Sequence, residues 1–181
     1  MTTTTFASIP IPGEGLLPRR QVADGQLLGP DDPAIHVITD FTREHPATVD
    51  EDRQIDDALA DMVRAGVRAL LVMRDHRIVG LVTSYDIQGE RPMQFLQASN
   101  YSRHEDIRVI DVMTPWEQLV AVGWHELQSA TARELLHVFE ATGRTHLLVI
   151  DPSGDRSGCV VRALVSRTRL ERQLTGLRRV G

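Results

Sequence analysis

Residues 65–87 read AGVRALLVMRDHRIVGLVTSYDI, and the fold follows from this stretch. Ala69-Leu70-Leu71-Val72-Met73 is apolar without alternation, as a strand covered on both faces would be. Asp75-His76-Arg77 supplies a turn, and Ile78-Val79-Gly80-Leu81-Val82 is a second run rich in β-branched residues. Thr83 then has the right chemistry to cap a helix beginning Ser84-Tyr85-Asp86-Ile87. The stretch predicts two buried strands, a tight turn and a helix start.

The same order returns at residues 142–170, TGRTHLLVIDPSGDRSGCVVRALVSRTRL. Gly66 to Val72 aligns with Gly143 to Val149, and Gly80-Leu81-Val82-Thr83 aligns with Ala163-Leu164-Val165-Ser166 after a longer turn. An internal repeat of this length governs the architecture more strongly than any local motif.

Working outward, Ala34 to Phe41 predicts a short strand leading into the first repeat. Pro46-Ala47-Thr48-Val49 is another extended piece, followed by the acidic cluster Asp50-Glu51-Asp52. Ile55, Ala58, Leu59, Met62 and Val63 have the spacing of an amphipathic helix, with Asp52 as its N-cap and Gly66 as its stop. Pro92 interrupts the chain before a short helix over residues 93–97. Ile107 to Met113 is predicted as a strand, and Leu119 to Val122 parallels Ala47 to Val49. About four extra residues around Trp124 precede a second helix with Ala132, Leu135, Leu136 and Phe139 on one face. Ser129 is its candidate cap, and Gly143 stops it. Each half thus reads strand, helix, strand, strand, helix. A unit of about 60 residues buries little apolar surface alone, so the halves are expected to share a core.

The divisions expected are a flexible or extended arm at 1–33, a first repeat at 34–98, a connector at 99–106, a second repeat at 107–176 and a tail at 177–181. The arm carries the Thr2 to Thr5 run and most of the prolines; its apolar Ile9, Ile11, Leu16 and Leu17 leave open that it packs on the body.

Composition narrows the functions. Among 181 residues, 41% are hydrophobic and 25% charged, an ordinary balance for a globular protein. The net charge of -5 argues against nucleic acid as a partner. No apolar run approaches the roughly 18 residues of a membrane span, and the N-terminus lacks a secretory pattern. Cys159 is the only cysteine, so a reducing, cytoplasmic setting is expected. Its neighbours Val160 and Val161 suggest a small apolar filler in a strand. The seven histidines show no metal-ligand spacing, and no phosphate loop, nucleophile elbow or dinucleotide fingerprint is present. No catalysis is expected.

This element order, with Asp111-Val112-Met113-Thr114-Pro115 leading the second half, resembles a tandem pair of CBS domains. The resemblance spans about residues 35–174 and implies an α/β (α+β) fold of two pseudo-symmetric β-α-β-β-α repeats packed as one module. It also implies two clefts that take adenosine-containing ligands such as AMP, ADP or ATP. Gly80-Leu81-Val82-Thr83-Ser84-Tyr85-Asp86 fits the family pattern of a glycine, two apolar residues, Ser or Thr, two variable residues and Asp. A carboxylate in the first turn of a helix can accept ribose hydroxyl protons, and a cap hydroxyl with free amides suits a phosphate. The second half keeps Ser166 but has Ala163 for the glycine and Arg169 for the aspartate, and arginine cannot accept those protons.

The resemblance therefore implies a ligand set of Thr48, Arg68, Gly80, Thr83, Tyr85, Asp86, Arg144, His146 and Ser166, with no metal and no obligatory cofactor. Ordinary roles stand beside these: Thr83 with Asp86 is also a plain helix start, and Arg68, Arg144 and His146 are also strand-start surface residues. Two functions from different classes are left open. One is a stand-alone regulatory module that binds an adenine nucleotide as a regulatory ligand and signals occupancy to a partner protein. The other is a ligand-free dimerisation scaffold with vestigial clefts. A homodimer through Ile87, Phe95, Leu96, Leu170 and Leu174 is expected in either case.

Overall fold

The computed structural model describes residues 27–99, 103–151 and 159–175. Its elements are β1 (Thr39–Asp40), β2 (Thr48–Asp50), α1 (Ile55–Ala65), β3 (Ala69–Arg74), β4 (Arg77–Thr83), α2 (Ser84–Gln88), α3 (Arg91–Ala98), α4 (Val109–Val112), β5 (Thr114–Pro115), β6 (Ala121–Gly123), α5 (Trp124–Ser129), α6 (Ala132–Thr142), β7 (His146–Asp151), β8 (Val160–Ser166) and α7 (Arg167–Thr175). Among the described residues they form two four-stranded sheets, ordered β2-β3-β4-β5 and β1-β8-β7-β6. The α/β repeat architecture is as the sequence predicts.

The repeat holds in fine detail. Both hairpins are antiparallel, and each slips register at the same place, after Val72 and after its equivalent Val149. Gly66 and Gly143 end α1 and α6 in the left-handed region, at φ 67° and 65°, which costs glycine nothing. Asp75 and His76 take positive φ in the two-residue loop between β3 and β4, a twist that matches paired strands.

The lead-in segments are exchanged between the halves. β1 pairs with β8 of the second repeat, and β5 pairs with β4 of the first. Leu28, Ala34, Val37 and Ile38 are buried in the core of the second repeat, while Ile107, Val109 and Val112 are buried in that of the first. The backbone repeats the exchange: Ile55 N–H donates to the Ile107 carbonyl, and the equivalent Ala132 N–H donates to the Asp32 carbonyl. Neither core is complete without chain from beyond its own half.

This exchange corrects several expectations. Residues 34–37 form a 3-10 turn and residues 109–112 a helix, where strands were predicted; the actual strands, β1 and β5, are two residues each. Each lead-in, beginning at 34 and at 107, thus packs in the core of the other repeat. The arm expected to run through residue 33 ends earlier, because Leu28 is buried and Pro33 bridges Thr131; residues 1–26, and the tail at 177–181, lie outside the described residues. Asp52 does not cap α1, whose N-cap is Gln54 without a side-chain bond; backbone from the exchanged segment satisfies its first amide, that of Ile55. Thr131, not Ser129, caps α6 in a reciprocal capping box with Glu134. Those bonds from the Thr131 amide and hydroxyl hold the Glu134 carboxyl below its ordinary pKa. Val63 is exposed on α1, and Cys159 is exposed just before β8.

A third apolar cluster joins the sheets. Ala69, Leu71, Leu81 and Leu148 are buried there, with Phe41, Trp116, Leu119, Ile150 and Leu164 packed against them. Ile87 and Leu170 are buried within the protomer, whereas Phe95, Leu96 and Leu174 are half-buried against its cores. Burial thus removes Ile87 and Leu170 from the residues expected to form a dimer interface.

Candidate functional site

The site begins where β4 runs into α2. Thr83 has extended backbone and is buried, and its hydroxyl accepts from the Asp86 amide at 3.3 Å. Asp86 Oδ2 accepts in return from the Thr83 amide at 2.8 Å and the Thr83 hydroxyl at 2.7 Å. The other carboxylate oxygen, Oδ1, meets Arg91 Nη1 at 2.9 Å. The Asp86 side chain is only 13% exposed, so the open helix start expected for it is in fact a packed one. Arg91 goes further, donating to the Val112 carbonyl at 2.6 Å and to Thr114 Oγ1 at 3.3 Å, and thereby ties the helix start to β5.

Across the interface between the sheets stands His146, the first residue of β7, paired with Ser166. It lies close enough to Asp86 to feel its charge. Burial pushes the imidazole down to about 4, with Asp86 pulling back up. The ring is therefore neutral at pH 7, and its Nδ1 is 3.1 Å from the Thr145 hydroxyl. Thr83, Asp86 and His146 thus lie near one another, while Ser166, the repeat equivalent of Thr83, is placed only by its pairing with His146.

The remaining expected residues are placed differently. Thr48 is exposed on the edge strand β2, opposite Leu71. The Arg68 side chain is exposed, while its carbonyl accepts from the Ser84 amide. Tyr85 is 59% exposed and Arg144 is half-buried. Gly80 has a structural reason of its own. A Cβ there would lie 2.7 Å from both the Thr114 carbonyl oxygen and the Met113 sulfur, so only glycine lets β5 approach β4 so closely.

The equivalent junction in the second repeat is built from other groups. Arg169 occupies the Asp86 position and donates to Thr39 Oγ1 on β1 at 3.0 Å. Thr39 and Thr114 are related by the repeat, facing Leu164 and Leu81. Both junctions therefore hold a guanidinium on a threonine of the exchanged strand, but only the first has a carboxylate behind it. Nearby, Arg162 stacks 3.8 Å over the Trp124 ring and approaches Asp40 at 3.9 Å. Burial raises the Asp40 pKa, but bonds from the Thr42 amide and hydroxyl and the charges of Arg162 and Arg43 outweigh it, leaving it lowered.

Sequence reasoning missed Arg91, Thr114 and the Arg169–Thr39 bond. Each depends on which strand is exchanged, and nothing in the local spacing around residue 91 signals that. Among the described residues, no three His, Cys, Asp or Glu side chains gather as a metal-binding group, and no helix is long and apolar enough to cross a membrane.

Comparison with known proteins bears on the fold. Residues 38–91 match the family model of the CBS domain. No curated protein matches the chain. The solved CBS domain NE2398 is similar at 21% identity and TM-score 0.54, over 78% of this chain and 96% of that one. The CBS-pair protein CBSX2 from Arabidopsis thaliana is similar at 23% identity and TM-score 0.50, over 82% and 97%. The CBS domain of the bacterial CNNM/CorC family Mg2+ transporter, solved in complex with ATP, is similar at 15% identity and TM-score 0.53, over 81% and 89%. The family match thus covers the first repeat, residues 38–91, and the second repeat is built on the same fold plan.

Proposed function

We propose that this protein is a non-enzymatic regulatory module that binds one adenine nucleotide at the Thr83–Asp86 junction and signals its occupancy to a partner protein. The observation that carries this reading is Asp86 itself: a carboxylate in the first turn of α2, fixed by Thr83 and facing the interface between repeats. Thr83 holds the Asp86 carboxylate in place through its amide and hydroxyl, and the neutral His146 flanks the ligand from the second repeat. That a CBS domain of similar fold, from the bacterial CNNM/CorC family Mg2+ transporter, was solved in complex with ATP supports an adenine nucleotide as the ligand class. A cytoplasmic setting goes with such a ligand.

Calorimetric titration with AMP, ADP and ATP tests the proposal, with ultraviolet absorbance of the denatured protein's supernatant as a check for co-purified nucleotide. One saturable site for at least one nucleotide is expected. No saturable heat and no released nucleotide would reject it. Incubation with ATP should give no hydrolysis above buffer.

A second reading, the scaffold with vestigial clefts, draws on one observation: Arg91 already occupies Asp86. In either reading we place dimer formation on the exposed Tyr85 and Met93 of α2 and α3. Light scattering should return about twice the monomer mass at micromolar concentration, and a monomer mass would remove the dimer from the proposal.

A further inference from the structure

Resting on that reading of the site, we infer that Arg91 is its latch: it holds the ribose acceptor shut when the cleft is empty and couples opening to β5. A carboxylate offers about four lone-pair positions. Asp86 already accepts three hydrogen bonds, two from Thr83 on Oδ2 and one from Arg91 on Oδ1. One position remains, and two ribose hydroxyls need two. Thr83 is buried and its bonds belong to the helix cap, so the bond that yields is the one to Arg91.

The surroundings let Arg91 move. Its side chain is 42% exposed, against 13% for Asp86. It borders a cavity of about 370 Å³ whose wall also includes Gln94, Asp111 and Gln118. Asp111 presents a carboxylate there, with Oδ2 bonded to the Arg108 amide at 2.9 Å. Arg91 thus has two acidic partners, Asp86 in the closed state and Asp111 in the open one. Leaving the first also breaks its bonds to the Val112 carbonyl and the Thr114 hydroxyl. β5 pairs with β4 through only Gly80–Pro115 and Leu81–Thr114, and the chain continues into Trp116 and Leu119 of the interface between the sheets. Occupancy of the ribose site is thereby transmitted to the contact between repeats, and the coupling is reciprocal.

Adenosine is the probe, because it has the ribose but no phosphate to recruit Arg91. Calorimetry should show Arg91→Gln binding adenosine about tenfold more tightly than the parent, the size of one charge-assisted hydrogen bond in a half-exposed setting. Asp111→Asn, which keeps its cap to Arg108, should bind a few-fold more weakly. Amide exchange at residues 112–114 should quicken when adenosine binds the parent and should already be fast in free Arg91→Gln. A parent that binds adenosine while Arg91→Gln binds equally or more weakly would overturn the latch and leave the nucleotide site standing. Absence of binding by the parent and Arg91→Gln alike, to adenosine and to ATP, would overturn both.

Discussion

The two junctions between repeats share one backbone and differ in charge. At the first, Asp86 pairs with Arg91, and Arg91 reaches Thr114. At the second, Arg169 reaches Thr39 directly and no carboxylate intervenes. A folding requirement explains the guanidinium at each, since each ties its repeat to the exchanged strand. Asp86 also caps α2 with Thr83, but the tie to the exchanged strand does not require it, since Arg169 reaches Thr39 at the second junction with no carboxylate between them. The difference teaches that fold and ligand chemistry are separable here: what both junctions keep holds the strands, and what only the first has is available for function.

The sharpest structural break between the repeats is Gly80 against Ala163. Gly80→Val should cost about 3 kcal/mol in denaturant unfolding, because the new side chain strikes β5 backbone that has nowhere to go. Ala163→Gly should cost about 1 kcal/mol or less. Comparable losses at the two positions would show that β5 does not press on β4 as described.

His146 against Ala69, its equivalent opposite Thr83, is next. The folded imidazole titrates at about 4 against an unfolded value of 6.5. The unfolded chain therefore takes up the proton first on acidification. This contribution to stability is intact above pH 6.5, declines between 6.5 and 4, and is flat below. The loss should be on the order of 3 kcal/mol. His146→Leu should flatten that part of the stability–pH curve, and an unchanged slope would place the ring in water.

A smaller effect separates the charged pair itself. Asp86→Asn should lower stability by about 1–2 kcal/mol, losing the ion pair with Arg91 while keeping an oxygen for the cap. Arg169→Ala, which loses one bond to a hydroxyl, should lower it by about 1 kcal/mol. Thermal melts of both variants measure this, and a larger loss for Arg169→Ala would reverse the ranking of the junctions.

Much of this was legible in the chain. Gly66, Gly143 and the runs from Ala69 and His146 announced the repeat, because strands and helix stops depend on local patterns. Thr83 with Asp86 announced a capped helix start for the same reason. The exchange of lead-ins was not legible. Residues 107–113 are apolar enough for a strand, and only the partner core decides that Val109 and Val112 are buried from a helix. Ile87 and Leu170 looked like interface residues for want of that same information. Gly80 looked like a ligand contact, yet its tight neighbour is the backbone of an exchanged strand about thirty residues away in sequence.

Titration of the parent, Asp86→Asn and Arg169→Ala with ATP tests the asymmetry of the junctions most directly. The account predicts one saturable site in the parent, retained by Arg169→Ala and weakened roughly 30- to 1000-fold in Asp86→Asn, the loss of about 2–4 kcal/mol from two hydrogen bonds to a charged acceptor. Two equal sites in the parent, or full binding by the Asp86 variant, would contradict it.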